Sequence, residues 1–95
     1  MNYTIFVKPE AELDILKTAK WYDEKQHDLG LRFLDEIEEK LNLIKSNPLH
    51  YQVRYKTTRL ALVEHFPCAI HFNIEKDKVI VLAVLGTRED SEKWK

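Results

Sequence analysis

The chain has 95 residues, which is enough for one compact domain but too few for two separate hydrophobic cores. Apolar residues make up 44% and charged residues 33%, with two Gly and three Pro, and this balance excludes a disordered or fibrous protein. The single cysteine excludes a disulfide framework, and the Cys and His spacings match no structural zinc site.

Neither a membrane span nor an export signal is expected. The longest apolar run is Val79 to Leu85, and the first four residues lack a basic segment followed by an apolar one. The predicted compartment is therefore the cytoplasm.

The formal net charge is only -1, but the charges are unevenly distributed. Residues 1–47 carry seven Lys/Arg against ten Asp/Glu, whereas residues 48–95 carry eight against six. The segment 50–59 contains three bases (Arg54, Lys56 and Arg59), two tyrosines and no acid. Such a segment is either a basic patch for phosphates or an acidic partner, or an edge strand whose charges discourage pairing with other strands.

Two helices are predicted in the first half, after a short strand at residues 3–7. Pro9 begins the first helix, which extends to about residue 26 with a stripe of apolar residues at spacings of three and four. Asp28 is the predicted N-cap of the second helix, and Asn47-Pro48 ends that helix. A short connection between two helices predicts an antiparallel helical hairpin.

Three strands are predicted in the second half, at residues 57–63, 68–75 and 78–87. The run Val79 to Leu85 is apolar without alternation, as in a central strand, so the N-terminal strand is expected to lie beside it. The predicted fold is α+β, with the order β-α-α-β-β-β and two layers, in which the helical hairpin packs on one face of an antiparallel sheet. The other face of the sheet is expected to be partly uncovered.

Short sequence motifs occur in a fixed order along nearly the whole chain. The most recognisable are Trp21-Tyr22, Leu29-Gly30, Asn47-Pro48, Phe66-Pro67 and the segment from Val84-Leu85 through Arg88 to Trp94. This set, in a chain of matching length and element order, resembles the RelE/ParE family of toxins from type II toxin–antitoxin systems. The resemblance implies the same fold, a cognate antitoxin as partner, and no metal or cofactor.

The resemblance leaves two modes of action open. RelE-like members are ribosome-dependent mRNA endoribonucleases that use Lys, Arg and Tyr on the sheet, because phosphodiester cleavage requires cations and a proton donor. ParE-like members bind DNA gyrase instead. A member that is inactive and only binds its partner is a third possibility.

Most positions that carry nuclease residues in RelE-like members are occupied differently here. Arg88 matches a phosphate-binding arginine, but Trp94 stands at the position of a tyrosine, and an indole is no substitute for an acidic phenol. Ala69 stands at an arginine position, and Leu60 and Leu62 stand at lysine positions. The sequence therefore favours the gyrase-binding branch, with a surface formed by Arg54, Lys56, Arg59, His71, Arg88 and Trp94.

If the protein is a nuclease, its candidate catalytic residues are Arg88, Arg59, Lys56 and His71. His71 alternates with Ile70 and Phe72, which places it on the partly uncovered face of the predicted sheet, where it is expected to be exposed. His65 is expected in a solvated turn, and Cys68 is expected to be a small buried apolar residue.

Two apolar residues lie outside the apolar stripes of the predicted helices. Trp21 projects about 125° from the centre of the apolar face of the first helix, and Leu43 is similarly displaced on the second. Trp21 either covers the end of the helical hairpin or anchors a partner, because exposed tryptophan is common at the centre of interfaces. Both residues are candidates for antitoxin binding.

Overall fold

The structure, a computed structural model, describes residues 3–87. Its elements in chain order are β1 (Thr4–Val7), α1 (Pro9–Lys25), α2 (Leu29–Ser46), a short 3₁₀ helix (Pro48–His50), β2 (Val53–Tyr55), β3 (Thr58–Leu62), β4 (Cys68–Glu75) and β5 (Lys78–Gly86). The predicted helices and the three strands of the second half are confirmed to within about two residues at each end. β2 was not predicted as a separate element within the segment 50–59, because three residues are too few for a visible alternation.

One five-stranded sheet has the order β1-β5-β4-β3-β2, so the predicted place of the N-terminal strand beside the apolar strand is confirmed. The prediction of an antiparallel sheet is wrong at this edge, because β1 pairs with β5 in parallel. Hairpin-linked neighbours must run antiparallel, but β1 is connected to the sheet through the two helices, and a crossover through the helical layer permits the parallel direction.

Both helices pack on one face of the sheet, in the two-layer arrangement predicted from the sequence. The shared core contains Ile15 of α1, Phe33 and Ile37 of α2, and Phe72 and Val81 of the sheet, and all of these residues are buried. The rings of Phe33 and Phe66 meet edge to face with centroids 5.3 Å apart, which joins α2 to the loop before β4. The opposite face of the sheet is called the open face below.

The connection between the helices differs in detail from the prediction. Asp28 occupies the N-cap position of α2, but its backbone is left-handed, with φ at 65°, and its carboxylate makes no capping hydrogen bond. The short connection requires this backbone conformation, which Asp tolerates better than most residues. The predicted capping role of Asp28 is therefore wrong, although the boundary it marked is right.

Gly30 is a point of close contact between the two helices. A Cβ placed on Gly30 would lie 2.4 Å from the carbonyl oxygen of Ala19, so no larger residue fits without moving a helix. The Gly30 amide also donates a 3.0 Å hydrogen bond to Oδ1 of Asp23. Close packing of α2 against α1 therefore explains the glycine in the sequence pattern Leu29-Gly30.

A second carboxylate joins the helical layer to an irregularity in the sheet. The pairing of β4 with β5 shifts register between His71 and Phe72. Close to this shift, the Val84 amide donates a 3.1 Å hydrogen bond to Oδ2 of Asp14 on α1. Asp14 therefore satisfies a backbone group of β5 and fixes α1 on the sheet. Within residues 3–87, neither helix has the length and apolar character needed to cross a bilayer.

Candidate target-binding and partner-binding surfaces

The β2 edge carries exposed cations. Arg54 lies on β2 and Lys56 lies in the turn to β3, and both side chains are exposed. Lys56 has a φ of 51°, which is the left-handed conformation that a two-residue hairpin turn requires. The structure thus confirms the edge strand that the sequence allowed as one interpretation of this segment. Both positive charges face solvent.

Arg59 does not join these two cations. It pairs in register with Phe72, whose side chain belongs to the core beneath the helices, so Arg59 lies on the helix side of the sheet. Its guanidinium donates a hydrogen bond to the backbone carbonyl of Tyr51. Tyr51 in turn meets the ring of Phe72 edge to face at 5.8 Å, and burial raises the pKa of its phenol. Arg59 therefore anchors the chain ahead of β2.

His71 was expected to be exposed, and that expectation is wrong. Strand alternation does place it on the open face, but its exposed fraction is 0%. The reason is the central position of β4, where Leu60 of β3 and Ala83 of β5 flank His71 in register. Desolvation by this burial lowers the pKa of the imidazole, and the negative charge of Asp14 opposes that shift only in part.

Tyr55 is a candidate site residue that the sequence patterns did not predict. Its phenol lies 2.9 Å from Nδ1 of His71, and the two rings meet at a centroid distance of 5.9 Å. A half-buried tyrosine on the edge strand thus reaches over β3 to the centre of the sheet. The only sequence signal was the alternation of Val53, Arg54 and Tyr55, which is too short to assign a face.

The centre of the open face is apolar at the positions where the RelE-like pattern has cations. Leu60 and Ala69 are buried there, beside His71, and Leu62 is exposed. Register pairing of Leu62 with Ala69 confirms that these positions lie together. Arg88 and Trp94, the remaining candidates, lie outside the residues that the structure describes.

Trp21 is exposed, as its position on α1 predicted, with 53% of its surface accessible. Its ring packs edge to face on Tyr22 at 5.1 Å, and Nζ of Lys25 lies 4.9 Å from the ring centroid. Trp21 borders a shallow pocket beside the start of β4, whose other lining residues include Lys17, Tyr22, Pro67, Cys68 and Val84. The lining of this pocket therefore combines aromatic and apolar side chains with that of Lys17.

Leu43 is also exposed, at 49%, but it lines no part of the Trp21 pocket. The two candidates for antitoxin binding therefore belong to separate places on the helical layer.

The remaining sequence candidates have structural roles. His65 lies in an exposed turn, as expected, and its Nδ1 is 2.6 Å from Oε2 of Glu36. Cys68 is buried, as expected, and burial together with the charge of Glu36 raises its thiol pKa to about 12. Cys68 therefore presents no thiol at the surface, whereas the exposed imidazole of His65 is paired with Glu36.

The chain is similar to known proteins both in sequence and in fold. The sequence model of the ParE toxin of type II toxin–antitoxin systems matches residues 5–91. A yeast protein, a putative UPF0320 protein of Saccharomyces cerevisiae, is 43% identical over 42 residues. That match spans 44% of this chain and 38% of the yeast protein.

Two solved toxin–antitoxin systems contain chains of similar fold. A chain of the chromosomal ParDE system from P. aeruginosa superposes with a TM-score of 0.82 at 12% identity, covering 90% of this chain and 97% of that one. A chain of the RelBE2 toxin–antitoxin complex from Mycobacterium tuberculosis gives a TM-score of 0.64 at 18% identity, covering 90% and 99%. At these identities the likeness establishes the fold.

Proposed function

Since the chain belongs to the ParE toxin family of type II toxin–antitoxin systems, we propose that it inhibits growth in the cytoplasm by binding DNA gyrase, and that a cognate antitoxin neutralises it. The target is bound, and no bond in it is broken by the toxin itself. Trapped gyrase would then hold DNA in its cleaved state.

One observation carries the proposal of binding rather than cutting. The open face presents Leu60, Leu62 and Ala69 where phosphodiester cleavage would need cations. Arg59, the nearest base in the sequence, lies on the helix side and is held by the carbonyl of Tyr51. Among residues 3–87, charge developing on a phosphate at the centre of this face would therefore meet apolar side chains and the Tyr55–His71 pair, and no Lys or Arg stands at these positions to stabilise it.

The proposed target surface is the β2 edge, formed by Arg54, Tyr55 and Lys56. Two exposed cations beside a half-buried tyrosine suit an acidic protein surface or the phosphates of DNA held by the enzyme. The surface is small, so each cation is expected to matter for the rate of association.

The test uses purified protein with gyrase, ATP and supercoiled plasmid. After detergent and protease treatment, the wild-type protein is expected to increase the amount of linear DNA, which reports trapped cleavage complexes. The double charge reversal Arg54→Glu with Lys56→Glu is expected to reduce that yield about tenfold or more, because attraction becomes repulsion. Lys45→Glu, at an exposed position on α2, is the control and is expected to behave like the wild type.

Linear DNA at the level of the toxin-free reaction would refute the gyrase assignment. Equal activity of the double variant and the wild type would refute the β2 edge as the target surface.

A second function is favoured by one observation, the Tyr55–His71 pair. A phenol hydrogen-bonded to an imidazole can transfer protons, and Arg54 and Lys56 lie next to Tyr55 in the chain. An mRNA endoribonuclease built on this pair is therefore the alternative. Cleavage of mRNA on programmed ribosomes by the wild-type protein, and loss of that cleavage in Tyr55→Phe, would establish the nuclease function.

The antitoxin is proposed to use the Trp21 pocket. Trp21 and its pocket are apolar, and Lys17 and Lys25 lie beside them, so an aromatic or aliphatic side chain flanked by acids fits the site. Trp21→Ala is expected to weaken antitoxin binding by about 2 kcal/mol, the usual size of an interface anchor. Titration calorimetry with the protein encoded by the adjoining reading frame measures this change.

A further inference from the structure

The open face of the sheet carries a row of apolar side chains that ends in a strongly exposed leucine. Leu62, the last residue of β3, is 56% exposed. It pairs in register with Ala69 of β4, and Ala69 pairs with Leu85 of β5, which is half-buried. Residues in register share one face of a sheet, so the three side chains lie side by side. A contiguous apolar surface of this kind indicates a contact site.

Leu62 is exposed because the neighbouring strand is too short to cover it. The last residue of β3 that pairs with β2 is Arg59, whereas β3 continues to Leu62. Beyond Arg59, no strand in the part of the chain that the structure describes lies along this edge of β3. Leu62 is therefore open to solvent on the face and at the edge of the sheet.

Tyr55 connects the apolar row to the cations of the β2 edge. Its phenol lies 2.9 Å from Nδ1 of His71, and His71 pairs in register with Leu60, two residues before Leu62 on β3. Arg54 and Lys56 precede and follow Tyr55 in the chain, and both are exposed. The surface is therefore continuous from the two cations, through Tyr55, to the exposed leucine.

This combination suits a protein segment better than a phosphate backbone. Phosphates require N–H groups or cations, and placing them against the methyl groups of Leu62 and Leu85 would remove their water without replacing its hydrogen bonds. Protein interfaces have apolar and tyrosine side chains at the centre and charges at the rim. Leu62, Tyr55 and the two cations of the β2 edge have that arrangement.

We propose that the target contacts the open face through a protein segment of gyrase and not through DNA. An apolar side chain of this segment packs on Leu62, and acidic side chains of the same segment pair with Arg54 and Lys56. This inference rests on the proposed function, because it assumes that gyrase is the target. It adds the apolar half of the binding surface and the chemistry of the segment that occupies it.

The test measures the rates of binding to gyrase holoenzyme without DNA. Leu62→Ala is expected to raise the dissociation rate about tenfold with little change in the association rate, because a desolvated apolar contact holds the complex after it has formed. Leu62→Met preserves the apolar volume and is the matched control. Arg54→Gln with Lys56→Gln is expected to lower the association rate instead, because rim charges act mainly on encounter.

Leu62→Lys separates the two classes of target. An added ammonium group would strengthen a contact with phosphates, whereas we expect it to weaken a contact with an apolar side chain at least tenfold. Leu31→Lys, at a leucine of α2 that is 59% exposed, adds the same charge on the helical layer and is expected to bind like the wild type. Circular dichroism of each variant establishes that it is folded.

A measurement on the wild-type protein needs no substitution to fold. Its affinity for gyrase is expected to fall only modestly between 50 and 200 mM salt, because two rim cations contribute the charge. A steep fall, of about a thousandfold, would indicate contacts with many phosphates and would contradict the proposal.

The outcomes separate this inference from the proposed function. Wild-type binding that Leu62→Ala and Leu62→Lys leave unchanged would overturn the apolar contact and leave gyrase as the target. Binding that requires DNA and that Leu62→Lys strengthens would assign the face to phosphates. A homodimer that Leu62→Lys dissociates would make a second copy of this chain the occupant. No binding to gyrase, with or without DNA, would overturn both the inference and the proposed function.

Discussion

The phenol of Tyr55 on the edge strand β2 lies 2.9 Å from Nδ1 of His71 in the middle of β4. This contact crosses β3, which lies between the two strands in the sheet. It connects the exposed cations of the β2 edge to the rigid centre of the domain. The proposed target surface is therefore held by this hydrogen bond together with the pairing of β2 with β3 and the Arg59–Tyr51 contact.

Tyr55→Phe is expected to destabilise the protein by about 1 to 2 kcal/mol. The substitution preserves the ring but removes the hydroxyl that meets the buried His71, and loss of one partner in a partly buried pair has about this cost. Denaturant unfolding measures the change. Lys56→Gln, at an exposed position in the adjoining turn, is the control, and an equal loss in both variants would contradict a specific role for the hydroxyl.

His71 is expected to make stability depend on pH below about 6.5. Burial lowers the imidazole pKa in the folded protein, whereas the unfolded chain takes up a proton near 6.5. The unfolded state then binds more protons, so stability falls as the pH decreases, with a limiting slope of about 1.4 kcal/mol per pH unit. Unfolding curves between pH 7 and 5 measure this slope.

Two variants test whether His71 causes this dependence of stability on pH: His71→Leu, and His27→Gln as the control. His71→Leu should lose the slope because the titrating group is gone. His27, whose side chain is 94% exposed, should leave the slope unchanged when replaced. A slope that survives His71→Leu would contradict the assignment.

The sequence was sufficient to predict the two helices, the three longer strands and the position of β1, because each has a long or distinctive apolar pattern. It was insufficient for β2, which is too short to show periodicity. The direction of β1 depends on the crossover through the helical layer, which no local pattern encodes.

For the site residues, too, local sequence patterns predicted some features and not others. Exposure of Trp21 and Leu43 followed from helical periodicity alone. Alternation also gave the correct face for His71, but its burial depends on Tyr55, Leu60 and Ala83, which come from three other strands. Contacts of that kind are set by register and not by local sequence.

Gly30→Ala is expected to destabilise the protein by about 1 to 3 kcal/mol, although alanine favours a helix. The added Cβ would lie 2.4 Å from the Ala19 carbonyl, so α1 and α2 must separate. Thermal unfolding measures the loss. Arg32→Ala, at an exposed position in the same turn of α2, is the control, and a more stable Gly30→Ala protein would show that the helices can separate without cost.

Asp14→Ala is expected to cost about 1 to 3 kcal/mol, whereas Asp14→Asn retains a side-chain acceptor for the Val84 amide and should recover most of that loss. Both variants remove a negative charge that raises the pKa of His71, so that pKa should fall further. Denaturant unfolding and NMR titration of the imidazole provide the two measurements. A raised His71 pKa in either variant would contradict this account.

Cys68 is expected to resist alkylation in the folded protein. With a thiol pKa of about 12, only about one molecule in ten thousand carries the reactive thiolate at pH 8. Iodoacetamide labelling followed by mass spectrometry should show modification only after unfolding in guanidinium. Rapid labelling under native conditions would show that the thiol is accessible.

The proposed mode of action is that this toxin harms the cell by holding gyrase and not by cutting RNA. Its most direct test induces the protein without its antitoxin, then measures gyrase linked to DNA and maps the ends of cellular mRNAs by primer extension in the same arrested cells. We expect accumulated gyrase–DNA complexes and intact messages. Codon-linked cuts in mRNA, with gyrase–DNA complexes at the uninduced level, would contradict it.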